Sequence, residues 1–190
     1  MGMLFRLLGA AMLLLTASCS VKSSIEALSS PEDRAFARQF IADVRSGNGV
    51  GLQRAMDPQL WKESITQLPA ARTFFPATEG ETELVGFNKS VSTSPAGREE
   101  VKNYVLVTSD GKHWTTTQLR TMMHGKRQRI VAWNIKGDSK PPAALQEYQT
   151  MEAAVPWVRA GLAAFVLIVG GLIFFLTRRS RRKRAGQPPF

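Results

Sequence analysis

The chain has 190 residues, 44% of them apolar and 21% charged, with a formal net charge of +10 and a single cysteine. That length suits one modest domain with its own core, and one thiol excludes a disulfide framework. The charge is not that of a nucleic-acid binder: residues 178–184 carry +6, while residues 20–156 hold 17 basic and 15 acidic side chains, a net +2.

The first element predicted is an export signal over residues 1–18. Arg6 supplies a positive start, Leu7–Leu15 is a short uncharged core, and Ala17 and Ser18 are small. The core is too short to cross a bilayer, which takes about 20 apolar residues. Leu15-Thr16-Ala17-Ser18-Cys19 then resembles the bacterial lipobox, in which the cysteine becomes the mature N-terminus and its sulfur carries a diacylglycerol. The resemblance covers these five residues, with Thr16 departing from the leucine usual at its position. It implies lipid attachment at Cys19. The alternative is an ordinary signal peptide cut near Ser18 or Ser20.

Residues 19–30 read as a serine-rich leader. Ser30-Pro31-Glu32-Asp33 is a helix start: a capping serine, proline at the first position, and two acids that complement the helix dipole. Phe36, Ala37, Phe40, Ile41 and Val44 recur at spacings of three and four, which makes one apolar face, and Gly47-Asn48-Gly49 ends it. Shorter helices are predicted from Val50 to Met56 and after Asp57-Pro58, through Leu60, Trp61 and Ile65.

From Glu81 the pattern turns to strand. Glu81–Ser94 carries Val85, Phe87 and Val91 on one expected inward face, and Ser94-Pro95-Ala96-Gly97 is a turn. Val101–Thr108 is the most strand-like run, closed by Asp110-Gly111. Lys112–Met123 is a third strand, turned by His124-Gly125. Arg127–Lys136 is a fourth, with Val131, Trp133 and Ile135 expected inward. Helices followed by four strands on short turns give an α+β domain over residues 31–137, N-terminal helices packed on an antiparallel meander. This order, with the aromatic last strand RIVAWNI, is similar to nuclear transport factor 2-like and cystatin-like domains. The resemblance implies a conical pocket between helix and sheet, used for binding, dimerisation or, less often, catalysis.

Residues 138–156 read as a linker with a short helix from Ala143 to Val155, broken or restarted at Pro156. A transmembrane helix is expected over residues 157–177. Its Ala160–Thr177 stretch holds 18 uncharged residues, and Trp157 stands where an interfacial aromatic belongs. The basic tail, residues 178–190, begins with Arg178, Arg179, Arg181, Arg182, Lys183 and Arg184, which mark the cytoplasmic side. Signal and tail agree on a bacterial inner-membrane protein whose domain faces the periplasm.

Chemistry is sparse. His113 lies beside Asp110 and His124 in the next turn; both read as solvated turn residues, without metal-ligand spacing. Glu79, Glu81, Glu83, Glu99 and Glu100 read as an exposed acidic edge, and Lys126, Arg127 and Arg129 as an exposed basic cluster. Phosphate-loop, dinucleotide and serine-hydrolase motifs are absent, and no catalytic residue, metal or cofactor is expected. The favoured reading is a non-catalytic module at the bilayer, binding an envelope protein or a small apolar ligand. The alternatives are a cavity enzyme of the isomerase or dehydratase type and an assembly factor acting through its helix.

Overall fold

A computed structural model describes residues 20–78, 80–94, 97–124 and 127–185. Five helices come first: α1 (Val21–Leu28), α2 (Pro31–Ser46), α3 (Gly49–Ala55), α4 (Pro58–Ser64) and α5 (Leu68–Arg72). Strands β1 (Glu81–Ser94), β2 (Gly97–Ser109), β3 (Trp114–His124) and β4 (Arg127–Asp138) follow, then a long helix, α6 (Ala143–Ala185). The strands form one antiparallel sheet in the order β1-β2-β3-β4, the meander expected for this α+β chain. Residues 20–150 make one compact unit.

Helix α2 starts where its sequence places it. The Ser30 hydroxyl accepts the Asp33 N–H at 3.1 Å, and the Asp33 carboxylate accepts the Ser30 N–H at 3.2 Å, a reciprocal cap. Gly47 closes the helix at φ 72°, a left-handed conformation that suits glycine. Ala37, Phe40, Ile41 and Val44 are buried in the same core as Leu106, Leu119 and Ile130. At roughly 1.5–3 kcal/mol for each large apolar side chain removed from water, this stripe holds the helix far more strongly than its caps do.

Alternation on the strands sets the inward rows. Thr82, Thr108 and Thr115 form one; Leu84, Leu106, Thr117 and Ile135 the next; then Phe87, Tyr104, Leu119 and Trp133; then Lys89, Lys102, Thr121 and Ile130. Two bulges shift the expected faces. Val85 is an extra residue between Leu84 and Gly86, so the inward phase passes from Thr82 and Leu84 to Phe87 and Lys89, while Val85 itself stays buried; Val91 shares the phase of Phe87 yet is 44% exposed. Val131 is extra opposite Arg120 and Thr121; Ile130 takes the fully buried place, while Val131 is half-buried. The edge of β4 is partly covered, since the Asp57 N–H donates to the Ile130 carbonyl at 2.8 Å and Arg129 donates to the Met56 carbonyl at 3.2 Å.

The N-terminal flank departs from the leader expected of it, and the C-terminal helix, which starts at Ala143 as expected, runs on further. Residues 21–28 are helical, capped by Ser20, whose hydroxyl accepts the Ser23 N–H at 2.9 Å, and anchored by buried Ile25. On the other side α6 begins within the compact unit, with Leu145 and Tyr148 buried in the core. Pro156 neither breaks nor restarts it: the helix is continuous from Ala143 to Ala185. A proline costs one backbone hydrogen bond, which a long helix with intact turns on both sides tolerates. Within Ala143–Leu172 its most apolar 18-residue window has a mean hydropathy of 1.8, and none of that window is buried. Among the described residues it is the one helix long and apolar enough to cross a membrane.

Candidate functional site

The inward row of lysines meets the start of α2 in the most concentrated group of charges in the described domain. Residues 100, 102 and 104 share one face of β2. Lys102 Nζ lies 2.6 Å from Asp33 Oδ1 and 3.2 Å from a Glu100 oxygen, and Lys89 Nζ reaches the same Glu100 oxygen at 2.9 Å. The Tyr104 hydroxyl donates to Asp33 Oδ1 at 3.2 Å and accepts from Gln128 Nε2 at 2.7 Å, which also donates to Thr121 Oγ1 at 3.1 Å. The Tyr104 ring stands edge-on to Phe87, centroids 5.2 Å apart. Asp33 therefore joins the α2 cap to the sheet, one carboxylate oxygen serving each.

Its electrostatics run away from neutrality. Burial pushes the Asp33 carboxyl up, but hydrogen bonds from Lys102 and the Ser30 N–H, the Lys102 charge and Tyr104 outweigh it and hold it below its ordinary value. The hydrogen bond from Lys89, with help from Lys102, keeps Glu100 low. Burial disfavours the Lys102 ammonium, yet Asp33 and Glu100 raise it. Burial and the Asp33 charge push the Tyr104 phenol far up. At neutral pH the carboxylates are ionised, the lysine is charged and the phenol keeps its proton. A general acid or base is most effective with a pKa near the working pH, and none of these groups is moved towards it.

Part of the opposite face of the sheet is polar and open, although Val107 on the same face is buried. Asn88, Asn103, Gln118, Arg120 and Asn134 are exposed there on four neighbouring strands. Two shallow grooves cross it. One, of about 270 Å³, is lined by Asn103, Gln118, Arg120 and Asn134 together with Val105 and Ala132; the other, of about 400 Å³, by Gln118, Asn134, Lys136, Lys140 and the first residues of α6.

The residues singled out from sequence fall mostly elsewhere. His113 is exposed, its Nδ1 3.7 Å from Asp110 Oδ2. Asp110 Oδ1 accepts the N–H groups of Lys112 and His113 at 2.9 and 2.8 Å, a turn-building role that lowers its carboxyl. His124 ends β3, and nothing of its side chain is described. Glu81 and Glu99 are exposed and Glu83 is half-buried, but Glu100 corrects the acidic-edge reading by turning inward to the two lysines. Arg127 is exposed, whereas Arg129 is drawn to the Met56 carbonyl; Glu79 and Lys126 lie outside the described residues. Cys19 also lies outside them. Arg178, Arg179, Arg181, Arg182, Lys183 and Arg184 stand on the last turns of α6, with only their backbone described. Among the described residues no three His, Cys, Asp or Glu side chains are grouped to hold a metal.

Sequence reasoning missed Asp33, Lys102, Tyr104 and Gln128. The available signal was Lys102 itself, a charge on the same strand face as Tyr104, Leu106 and Thr108, which must find a partner if that face is covered. None of the protein-family models compared with the chain matches it, and no curated protein or solved structure does.

Proposed function

We propose that this chain is a membrane-held, non-catalytic interaction module of the bacterial envelope, its domain on the outer side of the cytoplasmic membrane and its arginine-rich tail inside. The observation that carries the reading is α6, whose apolar window is not buried and whose last turns carry six basic residues in seven. The signal-like N-terminus and the lipobox resemblance at Cys19 support the same orientation. The paired charge cluster supports a structural use of the ionisable groups, since their protons are held away from exchange near neutrality. The layout of helix over antiparallel sheet supports placing the domain with nuclear transport factor 2-like and cystatin-like folds. The open sheet face, rich in carboxamides that both donate and accept, favours a polar protein partner over a small apolar ligand.

The test is protease treatment of intact spheroplasts carrying the full chain, with alkaline extraction of the membranes. The expected result is digestion of residues 20–150, protection of the tail, and retention of the protected fragment in the extracted membranes. Release by alkali, or protection of the domain in intact spheroplasts, overturns the reading.

A further inference from the structure

The chain has four asparagines, and three of them lie on one patch of the outward sheet face. Asn88, Asn103, Arg120 and Ala132 stand side by side in one row across the strands. The next row sets Gln118 and Asn134 beside Val105 and Gly86. Asparagine is among the residues least suited to a strand, so local structure does not ask for it there. Arg120 and the four carboxamides are all exposed. Among the described residues none of these five side chains has a hydrogen-bond or ion-pair partner. The three strand lysines, by contrast, are paired: Lys136 Nζ lies 3.2 Å from Asp138, and Lys89 and Lys102 share Glu100. Opposite charges facing across strands stabilise a sheet, yet Arg120 faces Asn103 and Ala132. No acidic side chain lines the groove of about 270 Å³ around it.

We infer that this patch docks an extended acidic segment of a partner polypeptide, with a carboxylate of that segment seated on Arg120. The inference rests on the proposed reading of the domain as an interaction module and names the chemistry of its partner. A guanidinium meets a carboxylate through two parallel N–H···O bonds, a match that a neutral side chain does not offer. Each carboxamide both donates and accepts, which suits the C=O and N–H groups of a peptide backbone. Same-face side chains of an extended chain recur at about 6.8 Å, the interval from Gln118 to Arg120 along β3. A segment lying along β3 can therefore set an acidic side chain on Arg120 while its backbone meets the carboxamides of the neighbouring strands. Anionic lipid is the poorer fit, since headgroup binding draws on clusters of basic residues and this groove holds one.

The test places the photoreactive p-benzoylphenylalanine at Ser90 of the full chain in cells. Ser90 is exposed on the same face, next after Asn88 and outside the groove. After illumination the crosslinked segment is sequenced by mass spectrometry. It is then made as a fluorescent peptide, once as found and once with every Asp and Glu changed to Asn and Gln. Fluorescence anisotropy measures the binding of both to the full chain in detergent. The captured segment should be polypeptide that carries Asp or Glu. Binding should weaken at least about fivefold with the amide peptide, and equally with Arg120→Gln. Arg120 is exposed, so its replacement leaves the fold intact, and the amide peptide tests the unaltered chain in any case. No adduct, adducts only on lipid or on a second copy of this chain, a segment without carboxylates, or a smaller effect of either change overturns the inference. In each of those outcomes protease still digests the domain in intact spheroplasts, whereas protection of the domain there overturns the functional reading instead.

Discussion

Replacing Asp33 by asparagine tests whether the charge cluster holds α2 on the sheet. The carboxylate accepts from the Ser30 N–H, Lys102 and Tyr104, and the Lys102 side chain is only 10% exposed. Removing one partner of a buried pair costs about 3–5 kcal/mol. Here Glu100 remains 3.2 Å from the ammonium, and the amide keeps one acceptor oxygen, so the expected cost is nearer 2–3 kcal/mol, with a fall in Tm of roughly 6–10 °C. Lys102→Met should cost about 2 kcal/mol, because Asp33 keeps its Ser30 and Tyr104 partners. In the double variant neither charge is stranded, and the coupling should be about 2 kcal/mol. Urea unfolding of the full chain in detergent, followed by tryptophan fluorescence, measures all four corners. Single effects below about 0.5 kcal/mol that simply add would refute the reasoning. The pH dependence has a determined sign. Asp33 and Glu100 are lowered from 3.8 and 4.5, so their contribution is present above those values and is lost as pH falls below them. Lys102 is raised from 10.5, so its contribution is present below that value and is lost as pH rises beyond it. Asp33→Asn should flatten the acid limb.

Thr117 is fully buried and its hydroxyl has no hydrogen-bond partner, so Thr117→Val should stabilise the domain by about 1 kcal/mol; destabilisation in the same urea assay would contradict this. Gly51→Ala should destabilise, although alanine is the better helix former. The new Cβ would lie 2.5 Å from Asp43 Oδ2 and 2.7 Å from Asn48 Nδ2, and would push apart the Asn48–Asp43 bond (2.9 Å); a raised Tm would show that the side chains yield freely. Trp133→Phe removes the donor that Ser64 accepts from at 2.8 Å, with Ser64 buried, and should cost about 1–2 kcal/mol, relieved in part by adding Ser64→Ala.

The local code for backbone was strong in this chain, and the code for depth was not. Ser30-Pro31, Gly47 and Asp110-Gly111 act within a few residues of themselves, and the α2 and β2–β3 boundaries follow from them. The two bulges were illegible because an extra residue in a strand leaves the run of β-formers intact while reversing its phase. Val131 was misplaced for that reason; Val91 keeps the phase of Phe87 and is exposed for another. Helix α1 escaped notice because eight residues with two serines have little intrinsic helicity; Ile25 and the Ser20–Ser23 cap make it a helix only against β1. The cluster was half visible. Asp33 was read for its helix-end role, which it does play, but the partners that define its second role are some 70 positions away in sequence.

That separation bears on why the domain keeps a charged cluster in its interior. A buried ion pair adds little net stability over well-packed apolar groups, so its value lies in what it forbids. Successive inward rows of the sheet are about 6.8 Å apart, and one turn of α2 is about 5.4 Å. If α2 slid by one turn along the sheet, its apolar stripe could still find leucine, isoleucine and aromatic rows, at modest cost. Asp33 could not follow: it would leave Lys102 with Glu100 alone and face the Tyr104–Leu119–Trp133 row without a cation. The pair therefore penalises the wrong register more than it rewards the right one. Replacing both charges with apolar groups, Asp33→Leu with Lys102→Met, should then leave stability within about 1 kcal/mol of the parent while multiplying the amide resonances of α2 in NMR spectra of the detergent-solubilised chain. A single sharp set of resonances would show that the apolar rows alone fix the register.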